Sequence, residues 1–153
     1  MVNTLHDTDY LIISKLGDTG NQIEHLFGNK DKVYIPKRGE VIVFHFPLNP
    51  QETFVKRVVG TPGDRVVIKS GSVTLYTHDK PGGYDPDTGY EKAGTVTLID
   101  TDVTVPAGNV FVMGDNRSDG GSYDSRSWGL LPSSYIIGNA VVRLLPLDQV
   151  RIF

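Results

Sequence analysis

The chain has 153 residues, of which 39% are hydrophobic and 22% charged, with a net charge of −3. That balance suits one folded domain with a buried core and excludes a disordered chain. It contains no cysteine and no basic block, which excludes disulfides, thiolate catalysis and cysteine-ligated metals, and leaves nucleic-acid binding without an electrostatic footing.

Most segments read as short strands punctuated by glycine and proline. Tyr10–Ile13 opens the series. Asp18–Gly28 predicts a short helix, capped by Asp18 or Thr19, with Ile23, Leu26 and Phe27 as its apolar stripe and Gly28 as its stop. Lys32–Ile35 and Val41–Phe46 are strands on either side of the turn Pro36–Gly39, and the unbroken apolar run Val41–Phe44 implies burial on both faces. The stretch Thr53–Asp64 reads as a strand, in which alternation puts Phe54, Lys56 and Val58 on one face and Arg57 on the other.

Arg65–Ile68 and Val73–Tyr76 form a hairpin around Lys69–Ser72. The polar stretch His78–Gly94 reads as a loop-dominated insert ending in the strand Thr95–Ile99. Asn109–Met113 is a core strand running into a glycine-rich loop, Gly114–Gly129, and Ile137–Leu145 is the last strand. The predicted class is mainly β: several small, strongly coiled antiparallel sheets, with residues 1–75 and 102–153 as the core and 76–101 as a small β/loop insert. No apolar run approaches the roughly 20 residues of a membrane span. No basic segment followed by an apolar core opens the chain, so as written it is expected to be soluble.

Two stretches carry chemistry. Lys56 sits between two apolar neighbours, and an amine kept out of water loses its preference for the charged form. Alone this is weak, because a lysine stem lies easily along apolar surface with its head in water. The loop Gly114–Gly129 gathers Asp115, Asn116, Arg117, Ser122, Asp124, Ser125 and Arg126. It leaves a strongly apolar strand, contains Trp128, the single tryptophan, and places Asp124 two residues from Arg126, each with candidate partners across the loop. An aromatic anchor and internal ion pairs argue for a fixed shape over an acidic surface turn.

Other candidates fall away. His6, His25, His45 and His78 show no metal-ligand spacing. Asp85–Glu91 has a faint likeness to a calcium loop, yet it lacks the third ligand and the spacing to a closing glutamate, and reads as turn chemistry. Neither Gly17–Gly20 nor Thr61–Asp64 has the lysine and hydroxyl of a phosphate loop. No metal and no cofactor is expected.

Three segments in order, RGEVIVFHFP (38–47), FVKRVVGTPGD (54–64) and GDNRSDGGSYDSRSWGLLP (114–132), resemble bacterial type I signal peptidases. These membrane-anchored serine peptidases use a lysine base to remove signal peptides from exported proteins. The resemblance implies Lys56 as general base and Ser122 as the hydroxyl that orients its amine. It implies an Asp124–Arg126 ion pair that fixes the loop, with Arg57 in reach to join it, and Asp115 supporting the turn. Leu5, Phe54 and Val55 would line shallow pockets for small side chains, with the substrate extended beside Thr53–Val55. The implied partners are signal peptides of preproteins and, through an N-terminal anchor, the outer side of the bacterial cell membrane.

One departure matters. In the family the nucleophilic serine directly precedes a methionine, in the form Ser-Met-x-Pro-Thr-Leu. Here Met1-Val2-Asn3-Thr4-Leu5 matches the residues after that serine, with Asn3 where proline is usual. The expectation is a fragment that, as a separate molecule, does not cleave peptide bonds. The alternative is a non-catalytic relative that binds or positions exported proteins. A self-cleaving repressor of the related serine–lysine fold is disfavoured, since no DNA-binding helices are evident and Ser118–Trp128 matches the signal peptidases in particular.

Overall fold

Val41, Ile42, Val43 and Phe44 are all buried, and four consecutive buried side chains in a strand demand packing on both of its faces. The architecture meets that demand with two antiparallel sheets. The computed structural model describes residues 11–14, 34, 36–87, 96–118, 120–143 and 151–152. Its strands are β1 (Leu11–Ser14), β2 (Val41–Phe46), β3 (Asn49–Gly60), β4 (Arg65–Lys69), β5 (Ser72–Tyr76), β6 (Thr101–Thr104), β7 (Asn109–Met113), β8 (Leu131–Pro132), β9 (Ile136–Arg143) and β10 (Arg151–Ile152). A single helical turn, α1 (Ser125–Trp128), lies between β7 and β8.

The larger sheet runs β1-β9-β2-β3-β7-β8, with β10 also paired to β9; the smaller runs β5-β4-β6. One face of the larger sheet carries Ile42, Phe44, Val58, Val110, Val112 and Leu131. On its other face Val59, Phe111 and Met113 meet Val66, Ile68, Val73, Leu75 and Val105, which joins the small sheet to the large one. The small sheet turns between β4 and β5 through Ser70 and Gly71, at φ +51° and +83°, the left-handed pair that a two-residue hairpin requires.

The mainly β class holds, and several elements fall where the sequence puts them: the Val41–Phe46 strand, the Arg65–Tyr76 hairpin and the Asn109–Met113 strand. Others differ. The strand β3 begins at Asn49, because the turn at Pro47–Leu48 pairs its polar, exposed first residues with β2; that pairing leaves no mark in hydrophobicity. Val96–Ile99 is not a strand. Thr97 N–H donates to Gly71 O at the hairpin turn, while Val96, Leu98 and Ile99 stay exposed. The free edge of β4 is taken instead by Thr101–Thr104. Ser125–Trp128 is helical within the predicted loop, and β10 is a strand that hydrophobic patterning does not mark. The predicted helix Asp18–Gly28 lies outside the described residues, as does Lys32–Ile35 apart from Tyr34. Among the described residues no helix is long and apolar enough to cross a membrane.

Phe44 is fully buried at the centre of the first face, in edge contact with Phe54 and close to Trp128. Truncation leaves a cavity that flanking strands cannot close, so Phe44→Ala should lower unfolding stability by about 3–5 kcal/mol, read from denaturant melts.

Candidate active site

In β3 each residue is placed by its register with β2: Lys56 lies opposite Ile42 and Phe54 opposite Phe44. Lys56 therefore shares the apolar face of the sheet, and only 9% of it is exposed. Beside it is an aromatic floor. Phe54 stacks on Phe46 with ring centroids 4.6 Å apart, Trp128 packs against Phe44 and Phe46, and Tyr123 meets Phe46 edge-on. The Lys56 Nζ stands 5.7 Å from the Phe54 ring centroid.

Burial pushes the Lys56 amine below the ordinary lysine range; Asp124 and Asp115 pull it back up, while Arg126 adds to the depression. The opposed effects of Asp124 and Arg126 follow from their being one ion pair. Arg126 Nε and Nη2 donate to the two Asp124 oxygens at 2.7 and 2.8 Å. A paired carboxylate beside an amine offers little net charge to hold a proton there, so desolvation decides.

Asp124 also organises the loop. Its carboxylate accepts from Gly114 N–H at 3.0 Å and from Arg126 N–H at 3.2 Å, the second bond capping α1. Burial alone would push this carboxyl up, but the Arg126 guanidinium and the Gly114 N–H outweigh it and hold the group below the usual carboxylate range. The next residue, Ser125, is buried and its Oγ accepts from Val112 N–H at 3.0 Å, fastening α1 to β7.

Gly114 is the junction. Its carbonyl accepts from Arg117 Nε at 2.6 Å, while its N–H is held by Asp124. A Cβ added here would clash with Ser122 Oγ at 2.2 Å and stand in ordinary contact with Lys56 Nζ at 3.7 Å, so only glycine leaves room for the serine beside the amine. Ser122 Oγ is buried, and no group among the described residues meets it in hydrogen-bonding geometry, although it lies near enough to Asp124 to help keep that carboxylate ionised.

The structure thus gathers Lys56, Ser122, Asp124 and Arg126 around Gly114. Arg57 points to the opposite face, where it forms a bidentate pair with Asp115 at 2.8 and 2.7 Å and donates to Gly39 O. That pair ties the start of the loop to β3 and to the turn before β2. Phe54 borders Lys56, whereas the Val55 side chain faces away, opposite Val43. Leu5 lies outside the described residues. Along β3, partners on the β7 side begin at Arg57, so Thr53–Lys56 presents a sheet edge unpaired by any described strand.

Sequence reasoning passes over two participants. Asp87, read as turn chemistry, forms a buried bidentate pair with Arg117. Nothing local signals a pairing across 30 residues. Gly114 carries a readable hint, as a glycine closing an apolar strand, but spacing does not name its neighbours. No group of three or more His, Asp or Glu among the described residues is disposed to hold a metal.

Comparison with known proteins gives a consistent result. Residues 1–145 match the family described as signal peptidase, peptidase S26. The chain is 35% identical to a signal peptidase I of Leptolyngbya laminosa, over 97% of this chain and 66% of that protein. It is 31% identical to a signal peptidase I of Pseudomonas fluorescens, over 92% of this chain and 60% of that protein. It therefore spans somewhat less than two thirds of the length of these relatives. The crystal structure of a signal peptidase I from Enterococcus faecalis shares the fold, with a TM-score of 0.55 at 24% identity, covering 72% of this chain and all of that one.

The buried amine has a consequence for stability. An unfolded lysine binds its proton more tightly than Lys56 does, so protonation penalises the native state at neutral pH. The penalty fades as pH rises from the depressed native value to above the unfolded value of 10.5. Lys56→Met should therefore stabilise the fold, with a gain over wild type that shrinks steadily as urea melts are moved from neutral to strongly alkaline pH. A second substitution probes the junction. Gly114→Ala forces Ser122 aside and should cost about 1–3 kcal/mol in the same melts.

Proposed function

The chain belongs to the signal peptidase, peptidase S26, family, and from that premise we propose that it is the catalytic domain of an enzyme that cuts signal peptides from exported proteins, with Lys56 as general base. The observation that carries this reading is the Lys56 amine, desolvated among apolar side chains and converging with Ser122 on Gly114. A neutral amine is the form that accepts a proton, and a serine hydroxyl orients it without the charge that would restore its proton affinity.

In the family's pattern the nucleophile is the serine next to the methionine that Met1 matches. Lys56 Nζ takes its proton as the oxygen attacks the scissile carbonyl, returns that proton to the leaving amine, and then activates the water that hydrolyses the acyl-enzyme. Ser122 fixes where the amine points, and the Asp124–Arg126 pair fixes Ser122 by holding the loop. The signal peptide adds as an extended strand along the open edge of Thr53–Lys56, exchanging main-chain hydrogen bonds. Phe54 would border a shallow pocket for a small side chain before the cut. Val55, which faces away, would contribute only its backbone. The whole enzyme would work at the outer face of the bacterial membrane, held by an N-terminal anchor.

Cleavage of a signal-peptide substrate by a chain with Ser placed ahead of Met1 and a membrane anchor tests the assignment. Rate should rise with pH through the Lys56 titration, because only the neutral amine works. Lys56→Ala and Lys56→Arg should both abolish cleavage, the arginine because it stays protonated. Ser122→Ala should lower kcat by about 100-fold, as expected when a reacting group loses its orientation. Full rates in Lys56→Ala would remove the lysine from the mechanism. Phe54→Ala should loosen the choice of cleavage site, scored by mass spectrometry of the products.

A further inference from the structure

Both arginines that follow Gly114 in the loop reach across to the connection between β5 and β6. Arg126 Nη1 donates to Leu98 O at 3.4 Å, a long bond. Arg117 makes the stronger tie, a bidentate pair with Asp87, in which the arginine side chain is fully buried and the aspartate only 4% exposed. Surface ion pairs are nearly neutral to a fold, but a buried one cannot lose a partner without stranding a charge. The third bond of Arg117 gives the pair its significance, for Nε donates to Gly114 O.

Asp87 is itself held in place. Its N–H donates to Asp85 Oδ1 at 2.8 Å. Just upstream, Leu75 and Tyr84 exchange both main-chain hydrogen bonds, and Tyr84 packs against the core shared by the two sheets. A continuous line of fixed groups therefore runs from that core through Asp87 and Arg117 to the Gly114 carbonyl. Asp124 grips the same glycine from the other side, through its N–H.

We propose that Asp87 is a positioning residue, which through Arg117 sets the place of Gly114 and with it the spacing of Lys56 Nζ and Ser122 Oγ. The segment between β5 and β6 is on this account part of the catalytic apparatus. The proposal rests on Lys56 being the base. Without Asp87, Arg117 is a buried guanidinium with no anchor, and the Gly114 carbonyl that it holds can shift with it. Water then reaches the Lys56 amine, its protonated form is eased, and Ser122 loses its station.

The test compares Asp87→Ala and Asp87→Asn in the anchored, serine-bearing enzyme with Lys56→Ala and with Arg65→Gln, which breaks an exposed ion pair to Asp102 in the small sheet. Asp87→Ala should lower kcat by about 10–100-fold while KM stays within about twofold, as expected for a misplaced reacting group. The acid limb of its pH–rate profile should move to higher pH. Asp87→Asn should do the same less strongly, and Arg65→Gln not at all. In the 153-residue chain, where no turnover is needed, the NMR titration of the Lys56 Cε resonance should shift its midpoint upward in Asp87→Ala. A folded Asp87→Ala with an unmoved profile and midpoint overturns the proposal, as does an activity loss that only tracks the unfolded fraction. Should Asp87→Ala not fold, Asp87→Asn decides by the same readouts. An active Lys56→Ala defeats the underlying reading, whereas an inactive Lys56→Ala beside an unaffected Asp87→Ala defeats this inference alone.

Discussion

A lysine amine becomes a base only when its ammonium form is made uncomfortable, and here that discomfort comes from burial. Lys56 occupies a place in β3 that an apolar residue would fill more stably, between Phe54 and Val58 and across from Ile42. Removing a cation from water is costly, so the surrounding structure must be stable enough to bear it. Two apolar clusters, one on each face of the larger sheet, supply that stability. The buried amine and the core are thus not separate parts of the molecule. The core is what depresses the amine's hold on its proton.

The charges near Lys56 are arranged so that they do not undo this. Asp124 would draw a proton back to the amine if it stood alone, but its bidentate partner Arg126 opposes that pull. The same logic applies on the opposite face, where Arg57 faces Asp115. Such buried pairs add little net stability, because desolvation of both partners offsets their attraction. They contribute geometry instead. Three pairs, Arg57–Asp115, Arg117–Asp87 and Arg126–Asp124, pin a glycine-rich segment that has hardly any regular structure of its own. A loop built this way can present a hydroxyl and two main-chain contacts at one point without needing a helix or strand to hold them.

The sheet topology supplies the rest. Because β7 takes partners only from Arg57 onward, the half of β3 that leads to Lys56 has an edge unpaired by any described strand. Exposed edges are usually a liability. Under the proposed function this edge would receive an extended peptide through main-chain hydrogen bonds, carrying a scissile bond past the amine in a fixed register.

Much of this is legible in the residues. Alternation along the Thr53–Asp64 stretch separates Lys56 from Arg57, and the run Val41–Phe44 announces a strand buried on both sides; both rest on local periodicity, whereas the pairing of Asp124 with Arg126 is implied only by the family resemblance. Features that depend on long-range contact are not legible in this way. A strand at Thr101–Thr104 in place of one over Val96–Ile99 depends on which segment can reach the free edge of β4. The first residues of β3 are polar and exposed, and only the turn at Pro47–Leu48 commits them to a strand. The union of Asp87 with Arg117, and the meeting of Ser122 with Lys56 at Gly114, likewise belong to tertiary structure. Chain periodicity tells a side chain which way to face; which distant group it then meets is settled by how the two sheets close upon each other.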